Sequence, residues 1–308
     1  MTLEQPLVSI LSVNYKQTQT TLEFLESVYK CTYKNIEIIV VDNGSNQDLK
    51  PAIEALYPQV NIIVSEKNLG FAGGNNLAIN QAKGKYLLFL NNDTEVEPDF
   101  IEPLVAAMEQ DNSLGMVSPK IVYFGLNKIQ YAGAIGINPY TGRGSKIGHM
   151  EENDGRYFES KFTDLAHGAA MMIPMEVVKK VGMMPDIFFL YYEEHDWCEI
   201  IKRAGYKVKY IGNSTIYHKE SVSVGKDSPL KIYYMTRNRL LFMRRNYSGI
   251  TLLISILFFI VFSIPKNTFT YLRKSWKLLI AFYKGIFWNL THYTNLKVVP
   301  YLHDSKNK

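Results

Sequence analysis

Apolar positions along this chain fall in short blocks separated by stretches with helical spacing. Residues 7–13 are apolar apart from two serines and predict a strand buried on both faces. Leu22, Leu25 and Val28 recur every third position and predict a helix over 20–29. Residues 36–41 predict a second strand, ending at the turn cluster Asp42-Asn-Gly-Ser45. A helix is expected around 51–57, with Pro51 at an early position that a helix tolerates. The same pattern predicts a strand over 60–64, a short helix over 75–82, a strand over 85–90 and a helix over 98–110. Short strands that are apolar throughout and alternate with helices indicate a parallel α/β sheet. Further on, residues 169–181 combine an apolar run with a helix stopped by Gly182. Trp197, Ile200, Ile201 and Ala204 form the stripe of another helix, and 207–218 predicts a strand that ends at His218. Residues 138–162, rich in Gly and charge, predict a surface loop, either closing over a substrate or without a role.

Polar clusters sit where the strands end: Asn14-Tyr15, Asp42-Asn43 and Asn91-Asn92-Asp93. In open α/β sheets ligands bind at the carboxyl ends of strands. Turns favour the same residue types, so each cluster alone is also explained as a turn. Asp93 can hold a divalent cation against phosphate oxygens, or it can cap the helix expected near Pro98. An extended chain cannot aim Asp93, Glu95 and Glu97 at one point, so one principal ligand is expected. Glu193, Glu194 and Asp196 open the Trp197 helix, where acids favour the positive helix end. Behind the aromatic run 188–192 they also make a dense anionic site. Crowding raises a carboxylate's pKa, which suits a general base.

Composition narrows the choices. The 308 residues are 47% hydrophobic and 20% charged, which supports a sizeable core. Two cysteines, Cys31 and Cys198, exclude a disulfide scaffold. Residues 1–6 lack a basic stretch leading into an apolar run, so no secretory signal is expected. The net charge of +5 is uneven. Residues 231–308 carry 13 Lys and Arg against one acid, Asp304, while 1–230 carry 21 basic and 28 acidic residues.

Six segments recur in a fixed order over about residues 7–245: Val8-Ser-Ile-Leu-Ser-Val-Asn-Tyr15, Ile39-Val-Val-Asp-Asn-Gly-Ser45, Asn68-Leu-Gly-Phe-Ala-Gly-Gly-Asn-Asn76, Phe89-Leu-Asn-Asn-Asp93, Tyr192-Glu-Glu-His-Asp196 and Arg203-Ala-Gly-Tyr206. Together they resemble the family 2 inverting glycosyltransferases of the GT-A fold, in particular the bacterial rhamnosyltransferase-like branch. The resemblance implies a Rossmann-like, mixed but mainly parallel sheet with flanking helices. It implies a catalytic domain over 1–230, with a nucleotide-binding half over about 1–115 and an acceptor half over about 116–230. Asn14 and Asp42 would contact the base and ribose, and Asn68 and Asn75 would lie in the loop beside the nucleotide. Asn92-Asp93 matches the DxD-type motif, with Asp93 the ligand of Mg²⁺ or Mn²⁺ and His218 completing the metal site. Glu194 would deprotonate the acceptor hydroxyl, and Glu193, Asp196 and His167 are placed on the acceptor side. Two departures stand out: Asn91 and Asn92 replace acids, and the pair Glu193-Glu194 replaces the commoner Glu-Asp.

The resemblance implies transfer of a sugar, rhamnose from dTDP-rhamnose as first choice, to a lipid-linked or polysaccharide acceptor in cell-surface glycan synthesis. Galactofuranosyl, glucosyl or N-acetylhexosamine donors, or a scaffold that only binds nucleotide-sugar, are the alternatives. Residues 231–308 form a basic, aromatic helical tail. The apolar stretch 251–264 ends at Pro265 and is too short to span a bilayer as a straight helix. Residues 271–288 mix cations with aromatic side chains, the composition of a helix lying on anionic lipid. The expected place is therefore the cytoplasmic face of a bacterial plasma membrane, as a peripheral protein that does not bind nucleic acid. Packing of the tail on the catalytic domain or in a homodimer stays open. The arginines of 233–245 are expected to help hold phosphate.

Overall fold

The computed structural model describes residues 5–45, 49–219 and 228–292. Its main sheet has the central order β10-β12-β6-β11-β4-β1-β2-β3. The nucleotide-side strands are β1 (Val8–Asn14), β2 (Ile36–Asn43), β3 (Asn61–Ser65) and β4 (Tyr86–Leu90), and the pairs β1–β2, β2–β3 and β1–β4 are all parallel. Helices α1 (Thr18–Tyr29), α2 (Leu49–Leu56) and α3 (Gly70–Ile79) connect them. β1 and β4 are buried almost throughout, as expected of parallel strands covered on both faces, whereas edge strand β3 stays partly exposed.

The second half departs from simple alternation. β5 (Thr94–Val96) follows β4 but pairs β12 instead of a neighbour of β4, and α4 (Ile101–Gln110) comes next. Asp93 and Thr94 do not cap α4, whose N-cap is Phe100 without a side-chain cap. β6 (Leu114–Tyr123) is nearly all buried and runs parallel to β12 (Lys207–His218). β7 (Ile129–Tyr131) pairs β6 antiparallel. β8 (Ala134–Ile135) and β9 (Ser145–Lys146) form a small ribbon. Edge strand β10 (Lys161–Phe162) pairs β12 antiparallel. β11 (Ala170–Pro174) is inserted antiparallel between β4 and β6 and leads into α5 (Met175–Val181). α6 (Glu193–Arg203) is anchored by Trp197, fully buried edge-on against Phe89 of β4 and donating its indole N–H to the Gly182 carbonyl. This is the fold class that the sequence pattern and the resemblance indicated.

The C-terminal helices are α7 (Pro229–Asn246), α8 (Gly249–Phe258), α9 (Ile264–Lys274) and α10 (Trp276–Thr291). α7 buries Arg237, Asn238, Leu241 and Phe242 against the preceding residues, so the chain packs as one body across residue 230. The apolar helix does not stop at Pro265. It runs from Gly249 to Lys274 through a π turn at Phe259–Ser263. Proline lacks an N–H and its ring crowds the preceding turn, and the widened π turn just before it accommodates both. The resulting 26-residue helix, whose most apolar 18-residue stretch has mean hydropathy 2.1, is long and apolar enough by length and composition to cross a bilayer. Its expected shortness is thus corrected. The basic tail beyond 292 lies outside the described residues.

One glycine ties the two halves together. Gly70 has φ +74°, and a Cβ there would lie 2.1 Å from the Phe189 carbonyl oxygen. The neighbouring Phe71 N–H donates to that same oxygen at 2.6 Å. Gly70→Ala is expected to cost about 1–2 kcal/mol from the left-handed backbone alone, with the clash adding to it. Urea unfolding measures this. An unchanged midpoint would show that the 68–71 turn and residue 189 are not held in register.

Candidate active site

A cleft of about 440 Å³ opens where β4, β7, β11 and the start of α6 converge. Asp93, Asn91, Gln130, His167, Glu193, Glu194, His195 and His218 are among its lining residues.

Strand pairing builds the first corner. β12 pairs β5 antiparallel with His218 opposite Thr94, which sets His218 beside Asp93 across 125 residues of chain. His218 Nε2 lies 3.1 Å from Asp93 Oδ1, and both side chains are buried. His218 Nδ1 lies 2.8 Å from Gln130 Oε1. With that amide orientation Nδ1 carries a hydrogen, which leaves Nε2 facing the carboxylate. That juxtaposition is satisfied by a proton on Nε2 or by a cation taken up by both atoms. The buried Asn91 Oδ1, at the same end of β4, has no hydrogen-bond partner. Among the described residues no group of three or more His, Cys, Asp or Glu gathers. Among the described residues, Asp93 Oδ1 and His218 Nε2 are the pair that could serve a metal here. Such a set suits Mg²⁺ or Mn²⁺ whose remaining ligands are water and substrate phosphates. Glu95 pairs with Lys219 and Glu97 accepts from the Tyr217 hydroxyl, so neither joins Asp93.

The acid pair forms the facing corner. Burial, followed by the neighbouring Glu194, pushes the Glu193 carboxyl well above the usual range. Burial pushes Glu194 upward too, but His195, then a backbone N–H and Lys146, outweigh it, and Glu194 ends below its ordinary value. Adjacent carboxyls with values driven apart divide into one that keeps its proton and one that is ionised. The base candidate is thus the lowered member of the pair, not a raised one as crowding alone suggested. His195 Nδ1 lies 3.2 Å from Glu194 Oε1, out of line for a hydrogen bond, and Glu194 Oε2 has no partner. His167 lines the same cleft. Its Nδ1 accepts from the Ala169 N–H at 3.1 Å, and its Nε2 sits 2.9 Å from Lys146 Nζ. Burial, then Lys146, hold its pKa well below the usual range.

Other residues expected at the site make contacts within the protein. Asp196 is fully buried, takes a two-pronged pair from Arg245 with a shortest contact of 2.7 Å, and accepts from Asn246. It ties α6 to α7 rather than facing the cleft. Asn14 is also fully buried. Its amide donates to Ser45 Oγ, and its oxygen accepts from Thr21 and the Gln17 N–H, shaping the turn after β1. Asn92 points inward to Thr21 at 2.9 Å, and Asn75 donates to the Phe71 carbonyl. Asn68 Oδ1 accepts from Asn43 and from the Gly70 N–H. Asp42, at the end of β2, is buried 3.4 Å from the Asn14 amide. Each of these residues makes at least one contact within the protein that shapes the strand ends. The arginines of α7 do not await phosphate either: Arg237 binds the Ile187 and Phe188 carbonyls, Arg239 the Thr141 carbonyl, Arg244 the Asn289 carbonyl and Arg245 Asp196. Gln130 and Lys146 gave no signal in the sequence, since neither lies in a polar cluster at a predicted strand end.

The cleft and fold can be set against known proteins. A sequence model of the family described as "Glycosyl transferase family 2" matches residues 9–182. The low-salt glycan biosynthesis hexosyltransferase Agl10 of Haloferax volcanii is 28% identical over 239 residues, covering 76% of this chain and 74% of that protein. The dTDP-rhamnosyl transferase RfbF of Shigella flexneri is 26% identical over 258 residues, covering 78% and 84%. The solved mannosyltransferase of Pyrobaculum calidifontis, in complex with GDP-Man and Mn²⁺, superposes with a TM-score of 0.57 at 12% identity, covering 95% and 89%. At that identity the likeness speaks to the fold. Against some longer proteins the chain spans less than half their length. Because the family match takes in most of the sheet that builds this cleft, the chain belongs to glycosyl transferase family 2.

Proposed function

We propose that this chain is an inverting, metal-assisted hexosyltransferase. It moves a sugar from a nucleoside-diphosphate donor to a hydroxyl of a lipid-linked or polysaccharide acceptor in cell-surface glycan synthesis. The observation that carries this reading is the pairing, within one cleft, of Asp93 and His218 at 3.1 Å with a Glu194 carboxylate oxygen that has no protein partner. Asp93 and His218 would hold Mg²⁺ or Mn²⁺, which neutralises charge on a departing diphosphate. Glu194 accepts the acceptor's proton, and the freed oxygen attacks the anomeric carbon as the bond to the diphosphate breaks. One displacement of this kind inverts the configuration. Glu193 keeps its proton and so leaves Glu194 as the ionised member of the pair. The proposed catalytic unit extends through α7. The exposed apolar helices α8 to α10 form an appendage seated on the cytoplasmic side of an anionic membrane, near a lipid-linked acceptor.

The preferred donor is dTDP-rhamnose, on the similarity to the Shigella enzyme. Other hexose donors are the second reading, on the similarity to the Haloferax hexosyltransferase. A panel of nucleotide sugars, screened for binding and for nucleoside-diphosphate release with and without Mg²⁺ or Mn²⁺, tests both. Metal-dependent release from dTDP-rhamnose is expected. Equal release in the presence of a chelator would overturn the metal-assisted reading, and binding without any release would leave only a nucleotide-sugar-binding protein.

A further inference from the structure

Residues 188–192, which deliver Glu193 and Glu194 to the cleft, have a backbone that bulky side chains rarely adopt. Phe189, Tyr191 and Tyr192 have φ of +64°, +71° and +76°. Positive φ at three aromatic residues within four positions is unfavourable and persists only where surroundings enforce it. Tyr192 is also the N-cap of α6 and contributes no side-chain cap bond.

What enforces it comes from α7. The fully buried Asn238 amide nitrogen donates to the carbonyls of Phe188, Leu190 and Tyr191 at 2.9, 2.8 and 2.8 Å. Arg237 Nη2 donates to the carbonyls of Ile187 and Phe188 at 2.7 and 2.6 Å, and its Nε donates to Asn238 Oδ1 at 2.7 Å. Four of the five carbonyls from 187 to 191, all but 189, are thus gripped by two adjacent side chains. The Phe189 carbonyl, in turn, receives the Phe71 N–H. The Arg237 guanidinium lies between two aromatic faces, Tyr234 at 4.8 Å and Trp288 of α10 at 4.6 Å. Asn289 of α10 donates to the Arg237 carbonyl. The grip is therefore backed by a helix outside the cleft.

We propose that Arg237 and Asn238 are positioning residues that hold the 188–192 loop in its strained form and thereby place Glu194, with Trp288 as their outer support. This rests on the reading of Glu194 as the base. The geometry makes its own demand, however: a planar fork and a two-hydrogen amide are what four carbonyls on one side of a loop require. Displacing a reacting group by about 1 Å can cost on the order of 10²-fold in rate.

The test uses the full chain, with dTDP-rhamnose or whichever sugar of the panel releases its nucleotide fastest, together with hydrogen exchange of the loop amides. Asn238→Ala is expected to speed exchange across 189–194 at least about tenfold while leaving β1 and β4 protected. It should lower kcat about 10²-fold and leave the donor KM within about twofold. Arg237→Lys, which keeps a cation between Tyr234 and Trp288 but loses the fork, should fall between wild type and Asn238→Ala. Trp288→Ala, remote from the cleft, should move kcat in the same direction by less. If Asn238→Ala does not fold, the Arg237 and Trp288 variants carry the same comparison. Faster exchange with unchanged kcat overturns the proposal, and so does a loss of kcat matched by an equal loss of donor affinity. The Glu194 reading fails separately, through a Glu194→Gln variant that turns over normally, whatever the loop amides do.

Discussion

Glu194→Gln is expected to lower turnover by about 10²–10⁴-fold, the range over which a positioned base acts. The amide keeps the size of the carboxylate but cannot accept a proton. Burial, the larger cause of the upward push on the Glu193 carboxyl, persists in this variant, so Glu193 is not expected to take over. Donor binding should change little, because the proposed diphosphate corner at Asp93 and His218 is built on other elements. Steady-state transfer together with equilibrium binding of the nucleotide checks both parts. Weakened nucleotide binding with turnover retained would place Glu194 on the donor rather than on the acceptor.

Asp93→Ala is expected to lower kcat/KM by about 10²–10³-fold, the scale for losing one group that stabilises developing charge. The Mn²⁺ concentration needed for half-maximal activity should rise as well. Removing the carboxylate leaves His218 as the remaining protein donor atom of the pair, still held by Gln130. His218→Ala should move both quantities in the same direction. Donor affinity and metal requirement identical to wild type in Asp93→Ala would remove Asp93 from the metal site. Glu95 offers no substitute, since it is engaged by Lys219.

Much of the fold was legible because it follows from local pattern. Runs of buried apolar residues separated by helical stripes produced β1, β2 and β4 and the helices between them close to where periodicity placed them. β6 was missed although it is buried along almost its whole length. Its Gly115, Pro119 and Lys120 interrupt the apolar run, and their burial depends on neighbours supplied from elsewhere in the chain. β5 was missed because three residues carry no period. Pro265 by itself predicts the end of the apolar helix, because proline normally ends one. Only the π turn before it shows how the helix continues.

The sequence by itself determined the sheet class, the family resemblance and the residues from which a site could be drawn, since these depend on residue type and short-range order. The tertiary structure decided which of those residues share a cleft. Asp93 and His218 meet because β5 pairs with β12, a register that no local signal encodes. Asn14, Asn75, Asn92 and Asp196 looked like ligand contacts by type and place. Folding turned them inward, where buried amides and carboxylates must find partners within the protein. Likewise, the arginines of α7 looked like phosphate ligands until packing set them against backbone carbonyls and Asp196. Hydrogen-bond satisfaction is a condition on the whole fold, and it decided which of these polar side chains are held by the protein itself.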